Sequence, residues 1–232
     1  GHTRRSVPKL GSQHTCAGDS LMTITTFSRA IVAGNADVLH AIREEEVSFA
    51  FWERKPPSGV GDIALNGLRN LRFTASLVEM PDTLDQELRS AGFKKGIPRD
   101  NLATDILDLA NRFAAVMRLN KVEIRLEHVT TNACKKFHGD YVMARLICTY
   151  VGPGTQWLDG ADAEDCGCGE PHNIQQMNAG DVGLFKGRIW SETHPAIHRS
   201  PPIEGTGEGR LMLVDHFHLN DVIMAEIAAN KT

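Results

Sequence analysis

Phe137-His138-Gly139-Asp140-Tyr141-Val142-Met143-Ala144-Arg145-Leu146-Ile147-Cys148-Thr149-Tyr150, residues 137–150, is the stretch on which the fold turns. It is rich in β-branched and aromatic residues and runs into a Gly152-Pro153-Gly154 turn, so it predicts a strand. With the strand starting near Phe137, alternation of period two points His138, Asp140, Val142, Ala144, Leu146, Cys148 and Tyr150 to one face. An imidazole and a carboxylate would then project side by side. Ten histidines make a chance His-x-Asp ordinary, so the tripeptide gains meaning only from its downstream partners.

Those partners are His198, in Ile197-His198-Arg199-Ser200-Pro201-Pro202, and Arg210, which heads the strand-like Arg210-Leu211-Met212-Leu213-Val214 after a Gly-rich turn. Two imidazoles and one carboxylate on one side of a divalent metal leave coordination positions open, the arrangement typical of non-haem Fe(II) oxygenases. His138, Asp140 and His198 are therefore the expected metal ligands and catalytic residues. An Arg beside them can grip the far carboxylate of a keto acid through two parallel hydrogen bonds. The bland alternatives are a surface His before a turn Asp, and an Arg210 ion pair with Glu204 or Glu208. His194 is the substitute for His198 as a ligand, although the spacing to Arg210 favours His198.

Around this segment the chain changes character near residue 120. Val122 to Val129 alternates, and Val182 to Phe185 and Leu211 to Phe217 are further strands separated by Gly and Pro. Short strands joined by turns suggest a sandwich or jelly roll over 121–232. The region 22–120 reads as helix-rich: Thr26 to Arg43 is mainly helical, Asp62 to Leu71 is a further helix, Asp82 opens one closed by Gly92, and Asp100 or Asn101 opens a longer one to Leu119. Val47 to Trp52 is a short strand, and Phe73 to Leu77 is ambiguous. Residues 1–21 are polar, basic and aperiodic, the signature of a flexible tail. The expected class is α+β, a helix-rich N-terminal half packed on a C-terminal double-stranded β-helix of cupin-like form, integrated into one domain.

Composition narrows the function classes. A chain of 232 residues, 41% hydrophobic and 23% charged, can bury a substantial core. A formal charge of -4 and a pI near 6.2 give no broad basic field for nucleic acid. No apolar run approaches the roughly 20 residues that cross a bilayer, and the start lacks the apolar centre of a secretory signal. Five cysteines without framework spacing suit a reducing compartment. The expectation is a cytoplasmic protein without membrane or nucleic-acid partners, acting on a small-molecule or protein substrate that the residues leave unidentified.

Ala179-Gly180-Asp181-Val182-Gly183-Leu184-Phe185, then His198 with Pro201-Pro202, then Gly209-Arg210 and a strand, resembles the closing segment of Fe(II)- and 2-oxoglutarate-dependent dioxygenases. Tyr150-Val151-Gly152-Pro153-Gly154-Thr155-Gln156-Trp157 is similar to the Gly-rich turn after their His-x-Asp strand. The resemblance spans roughly Lys121 to Phe217 and implies an oxygenase-like activity with Fe(II) held by His138, Asp140 and His198, and 2-oxoglutarate bound by Arg210 with Tyr150. A second resemblance, through Phe51-Trp52-Glu53-Arg54, Cys134-Lys135-Lys136-Phe137-His138, Arg145, Leu184-Phe185-Lys186-Gly187 and His198-Arg199-Ser200-Pro201-Pro202, is to a bacterial family that carries only a domain-of-unknown-function label. That family often appears beside genes of zinc homeostasis, which implies the alternative of a non-catalytic Zn(II)-binding protein that uses the same trio, a Cys-rich loop, or both. A third reading is another metalloenzyme on a cupin-like barrel, such as a hydrolase or isomerase.

Cys166-Gly167-Cys168-Gly169-Glu170-Pro171-His172 is the matching Zn(II) candidate, with Asp165 or Cys134 completing the ligands; its bland reading is a polar loop with free thiols. Cys134 and Cys148 read as packing residues, Cys148 on the face of His138. His216 and His218 read as cavity-mouth or solvated residues, and Lys186 and Arg145 as contacts to an anionic substrate or ordinary surface charges.

Overall fold

The computed structural model describes residues 29–164 and 171–216, together with the short strands Gln13–His14 and Ile24–Thr26. The expected tail at 1–21 falls largely outside the described residues, as do Cys166, Cys168 and His218. In chain order the strands are β1 (Gln13–His14), β2 (Ile24–Thr26), β3 (Ala30–Ala33), β4 (Phe49–Trp52), β5 (Leu71–Ser76), β6 (Lys121–Val129), β7 (Ala144–Val151), β8 (Gln156–Trp157), β9 (Gln175–Gln176), β10 (Val182–Lys186), β11 (His198–Arg199) and β12 (Arg210–His216). The helices are α1 (Met80–Ser90), α2 (Ile97–Met117) and the short α3 (Gly160–Glu164).

Nine strands form one sheet in the order β1-β2-β3-β4-β10-β7-β12-β6-β5, and β11-β8-β9 form a second. Only β3 and β4 pair in parallel within these sheets. The pleat of the large sheet separates two interiors. Leu146, Cys148, Tyr150, Leu184, Leu211 and Leu213 pack toward α1 and α2, against residues such as Leu84, Leu102, Leu109 and Phe113. Ile147, Phe185, Met212 and Val214 face the other way, toward Trp157 of the second sheet. Helices, large sheet and small sheet thus stack as layers, each burying one apolar face.

The mixed helix-and-sheet class is as expected, but the N-terminal region is not helix-rich. Ala30–Ala33 is a strand, and the expected helix at Thr26 to Arg43 shortens to a 3-10 helix over Ala36–Arg43, capped by the Asn35 side chain accepting from the Asp37 amide at 2.9 Å. Asp62 to Leu71 is turns after a short 3-10 segment at Val60–Asp62, and the ambiguous Phe73 to Leu77 is mostly β5. Those strands extend the large sheet, so tertiary pairing overrode the local helical pattern. The two long helices form where expected, each starting earlier than its acidic residue suggested because Pro81 and Pro98 occupy first-turn positions, where proline is pre-organised. Gly92, with φ +93°, closes α1 as anticipated. Among the described residues no helix is long and apolar enough to cross a membrane.

Candidate metal centre

Residues 137–150 do not form one strand. The chain bends at 141–143, and β7 begins only at Ala144. The bend is tied to the next segment by backbone hydrogen bonds from Gly187 to Met143, Arg188 to Asp140 and Ile189 to Val142, at 2.8, 2.8 and 3.1 Å. Its effect is to reverse the facing. Ala144, Leu146, Cys148 and Tyr150 belong to the helix-side core, whereas His138 and Asp140 lie with β11. The single alternating face expected from period two is therefore two faces joined by a kink.

His138 and His198 form an isolated antiparallel bridge, with reciprocal backbone N–H to carbonyl hydrogen bonds of 3.0 Å each. Gly139 lets this segment in: a Cβ there would meet Pro195 at 3.0 Å and Arg188 Nε at 3.2 Å. The imidazole Nδ1 atoms face backbone carbonyls, Lys136 O at 2.9 Å and Ala196 O at 3.0 Å. With Nδ1–H donated there, each Nε2 keeps its lone pair, the tautomer a metal ligand needs. Both Nε2 atoms face Asp140, His138 at 3.5 Å from Oδ1 and His198 at 3.3 Å from Oδ2. One donor atom from each of the three residues lies within 4.8 Å of the others. Two neutral nitrogens and one carboxylate oxygen, partly or fully withdrawn from water, fit a divalent first-row metal.

Burial alone would raise the Asp140 carboxyl, but the two imidazoles and the Arg145 guanidinium, 2.8 Å from Oδ2, hold it well below the usual carboxylate range. The Asp140 hydrogen bond raises His138 above the free imidazole value. Phe185 packs edge-on against the His198 ring at 4.8 Å, fixing it. Side-chain exposure is 36% for His138 and 6% for His198, so approach to the trio is from the His138 side. There a cleft of about 360 Å3 opens, lined by Phe137, His138, Arg188, Glu192, His194 and Pro195. His194 lines this cleft and is no member of the trio.

Arg210 is fully buried at the head of β12. It makes no ion pair with Glu204 or Glu208; Nη1 donates to Ser200 Oγ at 2.9 Å, and Nη2 to Thr149 Oγ1 at 3.1 Å and Thr155 Oγ1 at 3.4 Å. Burial without a counter-charge pulls its guanidinium down to about 10. Thr149, Thr155 and Ser200 stand in motifs of the sequence but carry no role there, because a hydroxyl gives no signal of what it faces.

Tyr150 does not belong to this site. Alternation from Leu146 and Cys148 puts Tyr150 in the helix-side core, and a shift in the register of β7 against β12 at Leu211/Met212, a bulge that leaves Tyr150 without a strand partner, brings Val151 against that core too. Its hydroxyl donates to Asp105 Oδ2 at 2.7 Å, inside a buried network in which Arg54 grips Asp105 with both terminal nitrogens. That position contradicts the keto-acid contact expected of Tyr150. Cys148 shares the same face, opposite to His138, and burial pushes its thiol up to about 12. Lys186 is no surface charge: it is buried, donating to the carbonyls of Glu44 at 2.7 Å and Glu45 at 3.2 Å. His216 is likewise buried, with Nε2 3.2 Å from Glu123. Cys134 is exposed.

A family model described as "Protein of unknown function (DUF1826)" matches residues 33–215. The chain belongs to that family. No curated protein matches this DUF1826 chain. Among solved structures it is similar to dioxygenase for auxin oxidation 1 from Arabidopsis thaliana in complex with 2-oxoglutarate, at 12% identity over 81% of this chain and 91% of that one, with a TM-score of 0.45. It is also similar to a putative oxygenase from Shewanella oneidensis, at 14% identity over 83% and 90% of the two chains, TM-score 0.44. A prolyl-4-hydroxylase from Pseudomonas putida is similar at 17% identity, 72% and 98% coverage and a TM-score of 0.33. These likenesses are too distant to bear on what the DUF1826 chain does. No comparison favours the zinc alternative, and Cys166 and Cys168 of its loop lie outside the described residues.

Proposed function

We propose that this protein is a non-haem Fe(II)- and 2-oxoglutarate-dependent oxygenase on a jelly-roll scaffold, with His138, Asp140 and His198 as metal ligands and Arg210 as the partner of the distal keto-acid carboxylate. The observation that carries the reading is the link between the two halves of the site through one strand. His198 belongs to the trio, and Ser200, two residues on, touches Arg210. Extended chain returns to the same face after two residues, so the trio and the Arg210 guanidinium open onto one face, as a ligand with a carboxylate at each end requires.

Charge supports the same co-substrate. Two cationic groups stand near the trio, Arg145 at 2.8 Å from Asp140 and Arg210 hydrogen-bonded to Ser200, two residues from His198. A bound divalent cation would leave a pronounced positive excess in a buried site, and a dianion offsets most of it. With Fe(II) and 2-oxoglutarate bound, the chemistry supplied is oxidative decarboxylation of the keto acid coupled to oxidation of a substrate C–H bond.

The chain's own residues do the rest. The carbonyls of Lys136 and Ala196 hold the imidazole tautomers, Phe185 and Trp157 close one side of the site to water, and the hydroxyls of Ser200, Thr149 and Thr155 aim the Arg210 fork. The cleft beside His138, with Arg188 and Glu192 on its walls, is the approach for the substrate. Anaerobic addition of 2-oxoglutarate to the Fe(II)-loaded protein is expected to develop a metal-to-ligand charge-transfer band. Iron bound at one equivalent with no band at saturating keto acid would reject the co-substrate.

A further inference from the structure

Arg145 stands in the wrong place for a substrate contact and in a telling place for a metal ligand. It projects from β7, where its Cα partner on β10 is Phe185, the residue that packs on the His198 ring. Its Nη1 lies 2.8 Å from Asp140 Oδ2, and its side chain is only 20% exposed. Both Asp140 oxygens face an imidazole, Oδ1 toward His138 and Oδ2 toward His198. Nothing in the trio alone would stop the carboxylate from closing on a metal with both oxygens, as carboxylates often do.

We propose that Arg145 is a positioning residue that holds Oδ2 and confines Asp140 to one-oxygen ligation, keeping an additional coordination position open. This inference rests on the metal reading of His138, Asp140 and His198 and adds to it. The physical basis is competition for one oxygen. A guanidinium 2.8 Å from Oδ2, mounted on a central strand of a nine-stranded sheet, competes with a cation for that oxygen, while Oδ1, which faces His138, carries the ligation. With three single-atom protein ligands, an octahedral ion keeps three positions for solvent or co-substrate; a two-oxygen Asp140 would leave two. Chelation of a keto acid together with dioxygen requires all three, which makes Arg145 decisive for turnover without its touching a reactant.

The test uses Mn(II) alone as the probe, bound to the full chain, with water-proton relaxation reporting the number of exchangeable waters on the ion. Arg145→Lys keeps a charge near Oδ2 and is expected to match the wild type. Arg145→Met and Arg145→Gln are expected to bind one equivalent of Mn(II) yet to relax water about one third less per bound ion, as one of three positions is lost. Circular dichroism selects the folded variants, and the Gln and Met substitutions back each other up. Wild-type relaxation in either uncharged variant overturns the proposal, as does loss of Mn(II) binding in a folded one. A wild-type protein that binds no Mn(II), Fe(II) or Co(II) instead removes the metal reading, and the inference with it.

Discussion

The backbones of His138 and His198 hold each other, each amide donating to the other's carbonyl at 3.0 Å, with their ring centroids 4.9 Å apart. Two side chains far apart in sequence are thereby fixed by reciprocal main-chain hydrogen bonds, so the placement of the two imidazoles relative to each other is set by strand-like pairing. Because the pairing is made by main-chain atoms, removing either ring leaves the bridge intact.

His138→Ala and His198→Ala are therefore expected to fold and to lose metal. Each removes one of three ligands, so tight binding of one equivalent of Fe(II) or Co(II) should disappear in calorimetry while the thermal transition of the metal-free protein moves by only a few degrees. Retention of one tightly bound ion in both variants would dismiss the ligand assignment.

Arg210→Ala is expected to spare metal stoichiometry and weaken 2-oxoglutarate by tenfold or more, since hydrogen bonds to a charged group are worth about 1.5 to 3 kcal/mol. Keto-acid titration of the iron-loaded variant, followed by the charge-transfer band, measures the loss. Equal affinities for wild type and variant would place the distal carboxylate elsewhere.

Tyr150→Phe is expected to act on stability alone. Deleting the hydroxyl leaves Asp105 with one donor fewer in a buried network, a cost of about 1 to 3 kcal/mol in urea unfolding, with unchanged 2-oxoglutarate affinity. A selective effect on the keto acid would restore Tyr150 to the site.

Metal affinity is expected to drop as pH is lowered, starting above the ordinary imidazole range. Asp140 raises His138, so protons compete with the metal at higher pH than they would for a free imidazole. In the metal-free protein the same raised value means that the His138–Asp140 contact adds stability below the unfolded pKa, near 6.5, and loses it as pH rises through the folded one. Calorimetric metal titrations between pH 6 and 8 test the first statement.

Asp215 should make the fold weaker as pH rises. It is fully buried, neither carboxyl oxygen has a hydrogen-bond partner, and burial, reinforced by the Asp105 charge, keeps its pKa well above the usual carboxylate range. Above the unfolded pKa, near 3.9, the unfolded chain gives up a proton that the folded chain keeps, so stability drops by up to about 1.4 kcal/mol per pH unit until the folded value is reached. Asp215→Asn is expected to remove this slope and to be the more stable protein at pH 7 in denaturant titrations. Parallel pH profiles for the two proteins would mean that Asp215 finds a partner in solution.

That His138, Asp140 and His198 belong together could be read from the residues alone because ligand chemistry constrains residue type, and the β-rich second half because alternation and Gly-Pro turns leave a local trace. The two long helices were legible for the same reason, through their apolar spacing and end residues. Facing was another matter. Alternation is exact only within an unbroken strand, and here the bend at 141–143 resets it, putting Cys148 and Tyr150 on the helix side and leaving His138 and Asp140 on the other, while the bulge beyond Thr149 brings Val151 to the helix side as well. Such irregularities are stabilised by partners distant in sequence, such as Gly187 with Met143 and Arg188 with Asp140, so they have no local signature. The recruitment of Ala30–Ala33 and Leu71–Ser76 into the large sheet is of the same kind, since a strand's stability resides in its neighbours. Residue chemistry thus named the atoms able to bind a metal, and long-range hydrogen bonding determined which of them meet.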